Sequence, residues 1–203
     1  MSKPTQTTRE RIVAAADELF YQRGFEHTSF TDIAQAVKLS RGNFYHHFKT
    51  KDDILEAVIA YRLSNTQAML AAWETNSQDP ESRINHFIHI LIMNQAKIKQ
   101  FGCPVGTLCT ELAKLNHASH TQANAIFTLF KGWLQSQFIR MGYEAKANTL
   151  AMHLLGRSQG IALLANTFKD ETFIEHEVAQ LRHWLSTLKK SAIHTDDNTL
   201  RGH

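Results

Sequence analysis

From Lys38 to Lys51 the chain reads KLSRGNFYHHFKTK, with four lysines or arginines and no acidic residue. Arg41, Asn43 and His46 carry hydrogen-bonding groups suited to the edges of bases. Tyr45, Lys49 and Lys51 carry hydroxyl or ammonium donors suited to phosphate oxygens, which position a binder without reading sequence. Gly42 lies on the same leading edge, and Thr28, a little upstream, has a hydroxyl that serves either a phosphate or a plain turn. Lys51 falls at the expected start of a long helix, where free N–H groups and the helix dipole already favour an anion.

These groups need elements that turn them outward together. Phe30, Ile33, Ala34 and Val37 recur at helical spacing and predict a short helix with one apolar face. Ser40 is a good N-cap for a second helix from Arg41 to about His47, with Phe44 and Phe48 inward. Leu39 and Phe44 flank that cap at the spacing of a hydrophobic staple. Arg41, Gly42, Asn43, Tyr45 and His46 are left on the outer face. A short cationic helix held by a capped turn against another helix predicts a helix-turn-helix reader of double-stranded DNA. A helical hairpin with core aromatics and solvated lysines is the plainer alternative; it leaves the joint spacing of cap, staple, Gly42, Tyr45 and Lys51 unexplained.

The segment IAQAVKLSRGNFYHHFKTKDDIL, within a likeness running from about Arg9 to Leu55, resembles the DNA-binding signature of TetR-like bacterial transcription regulators. Lys38 departs from it, because the family usually places Gly at that turn; if the position needs positive φ, lysine is modestly strained there. The resemblance implies a homodimer bound to operator DNA, usually a repressor, with a small apolar effector held in the second domain.

Composition agrees with a local rather than a global cationic character. The 203 residues carry a formal charge of +3 and are 43% hydrophobic, enough for a sizeable core. No apolar run approaches the ~20 residues that span a bilayer, and MSKPTQTTRER has no signal-peptide core, so a cytoplasmic protein without a membrane partner is expected. No phosphate-cradling glycine loop, nucleophile elbow or HExxH pair occurs, so neither an enzyme nor a cofactor is expected. His86 with His89, and His117 with His120, are three apart on predicted helices, but two ligands do not make a zinc site.

Around the reader the periodicity is helical throughout, which predicts an all-α chain. Thr7 and Glu10 suggest a capping box before a supporting helix that stops at Gly24. Thr50 and Asp53 open a long linking helix to about Thr75, and Asp79–Pro80 starts another, to about Gln100. Helices follow over Thr107 to Leu115, Ser119 to Met141, Glu144 to Phe168 and Glu171 to Lys190. These patterns predict a helix-turn-helix domain over 1–60, a second domain over 61–190 and a frayed tail over 191–203.

Trp73, Phe87, Phe101, Leu108, Phe127, Phe130 and Leu134 form an aromatic and aliphatic set that is either plain core or, by the resemblance, the lining of an effector cavity. His86, His89 and Asn94 are its candidate polar contacts. Leu154, Gly156, Gly160, Ile161, Leu181 and Leu185 suggest a dimer seam in the last two helices; burial within one subunit is the alternative. Cys103 resembles the cysteine of electrophile-sensing members of the family, which implies a thiol-responsive regulator as the alternative to a reversible effector.

Overall fold

The computed structural model describes residues 6–199, with the backbone alone described for Arg41, Glu171 and residues 189–199. Among the described residues the chain is helical and has no strand. It divides into two compact units, Met1–Ala68 with Pro104–Phe127, and Met69–Cys103 with Thr128–His203.

The first unit begins with α1 (Thr8–Arg23). Thr7 Oγ1 accepts from Glu10 N at 3.2 Å, and Glu10 Oε2 accepts from Thr7 N at 2.8 Å, the reciprocal box expected from their spacing. α1 buries Ile12, Val13, Ala16 and Phe20 and stops at Gly24, whose φ is +87°. α2 (Phe30–Ala36) opens on a second box, Ser29 with Asp32. α3 (Arg41–His47) is capped by Ser40 and closed by extended Phe48. α4 (Lys51–Asn76) follows, with Asp53 Oδ2 accepting from Thr50 N at 2.9 Å. Phe44, Phe48, Ile54, Leu55 and Val58 join the α1 and α2 side chains in one core. A fully buried side chain of this size contributes about 1.5–3 kcal/mol.

α7 (Pro104–Lys114) belongs to this unit as well, because Leu108, Cys109 and Leu112 are buried in the same core. Arg62 also donates to Asp17 Oδ1 and to the Pro104 carbonyl, both at 2.5 Å, joining α4 to α1 and to the start of α7. The division therefore differs from a single cut near Tyr61. It falls inside α4 and inside α8 (His120–Arg140), and Ala123 and Phe127 of α8 lie with the N-terminal core.

The second unit contains α5 (Pro80–Met93), α6 (Gln95–Phe101), the latter part of α8, a 3-10 turn at Glu144–Lys146, α9 (Ala147–Phe168) and α10 (Glu171–Thr199). Asp79 caps α5 with Pro80 at its start, as the sequence indicates. The helix expected to reach Gln100 is interrupted at Asn94, whose side-chain amide donates to Ile90 O at 3.0 Å. Asn94 N donates to the same carbonyl at 3.1 Å, so the side-chain bond shares a ladder acceptor at the point where α5 ends. α10 is helical to Thr199, past Lys190 where fraying was expected. No Pro or Gly lies between Lys190 and Thr199, and extending an existing helix requires no new nucleus. The remaining tail, 200–203, lies outside the described residues.

Arg83 is buried and donates to the carbonyls of Ser77 and Glu74, at 2.9 and 3.1 Å, and to Gln137 Oε1 at 3.2 Å. Its charge sits on the unsatisfied carbonyls that end α4, where the helix dipole is negative.

Candidate nucleic-acid interface

α3 is short, and its outer surface is set by two buried anchors. Phe44 and Phe48 are sequestered in the core, which turns Gly42, Asn43, Tyr45 and His46 to solvent. Ser40 Oγ accepts from Asn43 N at 3.4 Å, so the cap leaves the Asn43 side chain outward. Tyr45 stacks on Phe30 of α2, ring centroids 4.9 Å apart at 29°, which orients the phenol across the face of the pair. Lys49 is exposed, and its ammonium donates to Tyr45 O at 2.6 Å, closing the end of α3. Arg41 begins the helix; its side chain lies outside the described residues.

The turn between α2 and α3 places Lys38 at φ 55°, the left-handed conformation that a glycine there, usual in the resembled family, would adopt without strain. Leu39 N donates to Ala34 O at 3.1 Å, and Arg11 of α1 donates to Val37 O at 3.1 Å, so the turn is tied to both neighbouring helices.

Besides Lys49, two more of the expected phosphate contacts have other partners here. Thr28 is fully buried, and its hydroxyl donates to Gly24 O at 2.7 Å, which makes it a turn residue. Lys51 is half-buried, with Nζ donating to Phe25 O at 3.0 Å and lying 4.2 Å over the Phe25 ring. Spacing could not reveal the Lys51 contact, whose partner is 26 residues away, whereas the Thr28–Gly24 bond is local and is the turn reading of that hydroxyl.

The carboxyls of the two caps are held low. Hydrogen bonds from Ser29, the side chain foremost, keep Asp32 below the ordinary aspartate value of 3.8. Backbone donation from Thr50 does the same for Asp53, aided by Lys49 N.

Two family models match the chain. One, described as bacterial regulatory proteins of the tetR family, covers residues 12–58, the unit just described. The other, the C-terminal domain of LmrA/YxaF-like transcriptional regulators, covers residues 80–180. The chain belongs to the TetR family. It is 27% identical over 174 residues to an uncharacterized HTH-type transcriptional regulator of Lactococcus lactis, covering 84% of this chain and 89% of that one. It is 24% identical over 128 residues to the HTH-type transcriptional repressor DhaR of a Mycobacterium species, covering 63% and 62% of the two chains. A solved TetR transcriptional regulator from Legionella pneumophila superposes with a TM-score of 0.79 at 28% identity, over 92% of this chain and 99% of that one. This TetR protein is accordingly a DNA-binding transcriptional regulator and not an enzyme. No described helix is long and apolar enough to cross a membrane.

The effector set is split between the units. Leu108 and Phe127 belong to the N-terminal unit, Leu108 inside its core and Phe127 against it. In the second unit Trp73 packs on Trp133 at 5.5 Å and His86 at 5.9 Å, and Phe87 meets Phe130 edge-on at 5.5 Å. Leu134 is fully buried there, and Phe101 and Cys103 are half-buried. Two polar candidates are engaged near the surface instead: His89 pairs with Arg182 at 3.1 Å, and Asn94 bonds within its own helix. Trp133, absent from the sequence-derived set, has a buried indole N–H without a hydrogen-bond partner.

The residues of the expected seam fall on two faces of the last two helices. Leu154, Ile161, Leu181 and Leu185 are at most 2% exposed within one chain, so they bind the helices of a single subunit. Gly156 and Gly160 instead line an open concavity of about 420 Å³ with Met152, Arg157, Leu164 and Phe173. Met152, Leu163, Leu164 and Phe168 are exposed at 48, 64, 42 and 74%, an apolar face on α9 that periodicity alone did not separate from the inward one.

Proposed function

We propose that the protein is a homodimeric repressor whose α3 reads operator DNA in the major groove, and that a small apolar effector releases it. The observation that carries the reading is the exposed, capped face of α3, where Asn43, Tyr45 and His46 stand together beside Lys49 with no carboxylate on the helix. Asn43, His46 and Arg41 are assigned to base edges, and Tyr45 and Lys49 to the phosphate backbone, with Gly42 allowing close approach. Such a protein acts on the cytoplasmic nucleoid. The repressor assignment is supported by the similarity to DhaR, itself described as a repressor.

Release requires that the effector bind the DNA-incompetent form more tightly. Its apolar character is supported by the Trp73, Trp133, Phe87 and Phe130 contacts in the second unit. The test is selection of a duplex from a random library by the full chain, followed by gel shifts. Asn43→Ala and His46→Ala are expected to relax preference at single base positions, Asn43→Ala by the ~1–3 kcal/mol of a bidentate amide contact and His46→Ala by less, since an imidazole makes one bond to a base edge. Lys49→Ala is expected to weaken all duplexes alike and to lower the salt slope by about one. A chain that selects no sequence would refute the operator assignment. Release by N-ethylmaleimide in wild type but not in Cys103→Ser would instead favour thiol control.

A further inference from the structure

We infer that Glu111, on α7, is a positioning residue for the DNA reader, holding the α1–α2 turn to a helix outside the helix-turn-helix. Beyond the end of α1 the N–H groups of Phe25 and Glu26 are past the helical ladder and need other acceptors. Glu111 takes both: Oε2 accepts from Phe25 N and Oε1 from Glu26 N, each at 2.9 Å. The turn is shaped around this carboxylate, because a Cβ on Gly24 would stand 2.9 Å from Glu111 Oε1. Lys51 of α4 takes the carbonyls of the same two residues, Phe25 O at 3.0 Å and Glu26 O at 3.4 Å. The Phe25 ring packs edge-on against Phe20 at 5.4 Å and His117 at 5.1 Å.

The turn is thus gripped through its amides by α7 and through its carbonyls by α4. The reader follows from it directly. Thr28 is bonded to Gly24, Ser29 caps α2, and α3 is joined to α2 by the short turn at Lys38. α7 is itself fastened by its buried Leu108, Cys109 and Leu112, and by Arg62 on the Pro104 carbonyl. A displacement of α7 therefore carries the turn amides with it and reorients α2 and α3. This inference rests on the assignment of α3 as the DNA reader.

The test uses the full chain and the duplex it selects from a random library. Glu111→Gln keeps the size of the side chain but offers one oxygen and one NH2, so one turn amide faces a donor. Affinities for the selected duplex and a scrambled one are compared with thermal unfolding and amide exchange at Phe25 and Glu26. Loss of a charge-assisted bond corresponds to about tenfold, so Glu111→Gln should bind the selected duplex about tenfold more weakly. Scrambled-duplex affinity should change by less than about twofold, the melting temperature should fall by only the few degrees that one lost hydrogen bond accounts for, and exchange should accelerate at the turn amide left without an oxygen. Glu111→Ala should behave in the same way. Faster exchange with unchanged operator affinity would overturn the inference, as would an equal loss on both duplexes or failure of either variant to fold. Failure of wild type to select any sequence would strike the reader assignment itself, and is distinguishable from these results.

Discussion

Thr28 carries the sharpest residue-scale consequence. Its hydroxyl is a buried donor to Gly24 O at 2.7 Å, so Thr28→Val removes one hydrogen bond and leaves a carbonyl short of a partner. A loss of ~1 kcal/mol in urea unfolding is expected, with the salt slope of DNA binding unchanged. A reduced slope with unchanged stability would return Thr28 to the phosphate contacts. Asp32 and Asp53 give a pH dependence of definite sign. Their folded values lie below 3.8, so their contribution is present above that pH and is lost as pH falls through the lowered values. The N-terminal unit should lose stability below about pH 4, and Asp32→Asn with Asp53→Asn should flatten that part of the acid limb. An unaltered acid limb in the double variant would exclude the two caps as its source.

At the scale of elements, the α2–α3 turn is held in a conformation that its residue does not favour. Lys38 sits at φ 55°, where a Cβ crowds the following carbonyl. Lys38→Gly relieves the crowding but adds freedom to the unfolded chain. A net gain of ~0.5 kcal/mol or more is expected in thermal or urea unfolding, within the ~1–2 kcal/mol cost of a left-handed residue. Destabilisation would mean that the lysine makes compensating contacts. α7 is the other element whose role changes its meaning: its short apolar stripe closes the N-terminal core, so it is part of the support of the reader.

For the whole molecule, the outward face of α9 is the proposed dimer seam, replacing the inward leucines. Leu164→Glu and Phe168→Glu should yield monomers that remain helical, because both side chains are exposed in a single chain at 42 and 74%. Leu154→Glu should instead misfold, since an unpaired carboxylate at a position with no exposure is strongly unfavourable. Light scattering with circular dichroism separates the two outcomes, and a stable obligate seam should bury on the order of 2,000 Å². A monomeric mass for the unmutated chain at micromolar concentration would refute the seam.

What the sequence determined by itself is local. Thr7 with Glu10, Ser40 before Arg41, Thr50 with Asp53 and Asp79 before Pro80 each act within about one helical turn. Their spacing therefore announces where helices begin, and the paired phenylalanines of α3 leave only one face for DNA. The left-handed turn at Lys38 was suggested only by the resemblance, whose members usually place glycine there, and by no local signal of this chain. Tertiary structure alone decided what each outward or inward side chain meets. Glu111 reaches an amide 86 positions away, Lys51 turns back on Phe25, and α7 joins the core beneath the reader. It also chose which stripe of α9 is covered and which is left bare, because a helix with apolar residues on two faces has a period that fits either choice. Hydrophobic periodicity tells a helix which residues to bury, while the partner that buries them is selected by packing between segments remote in sequence.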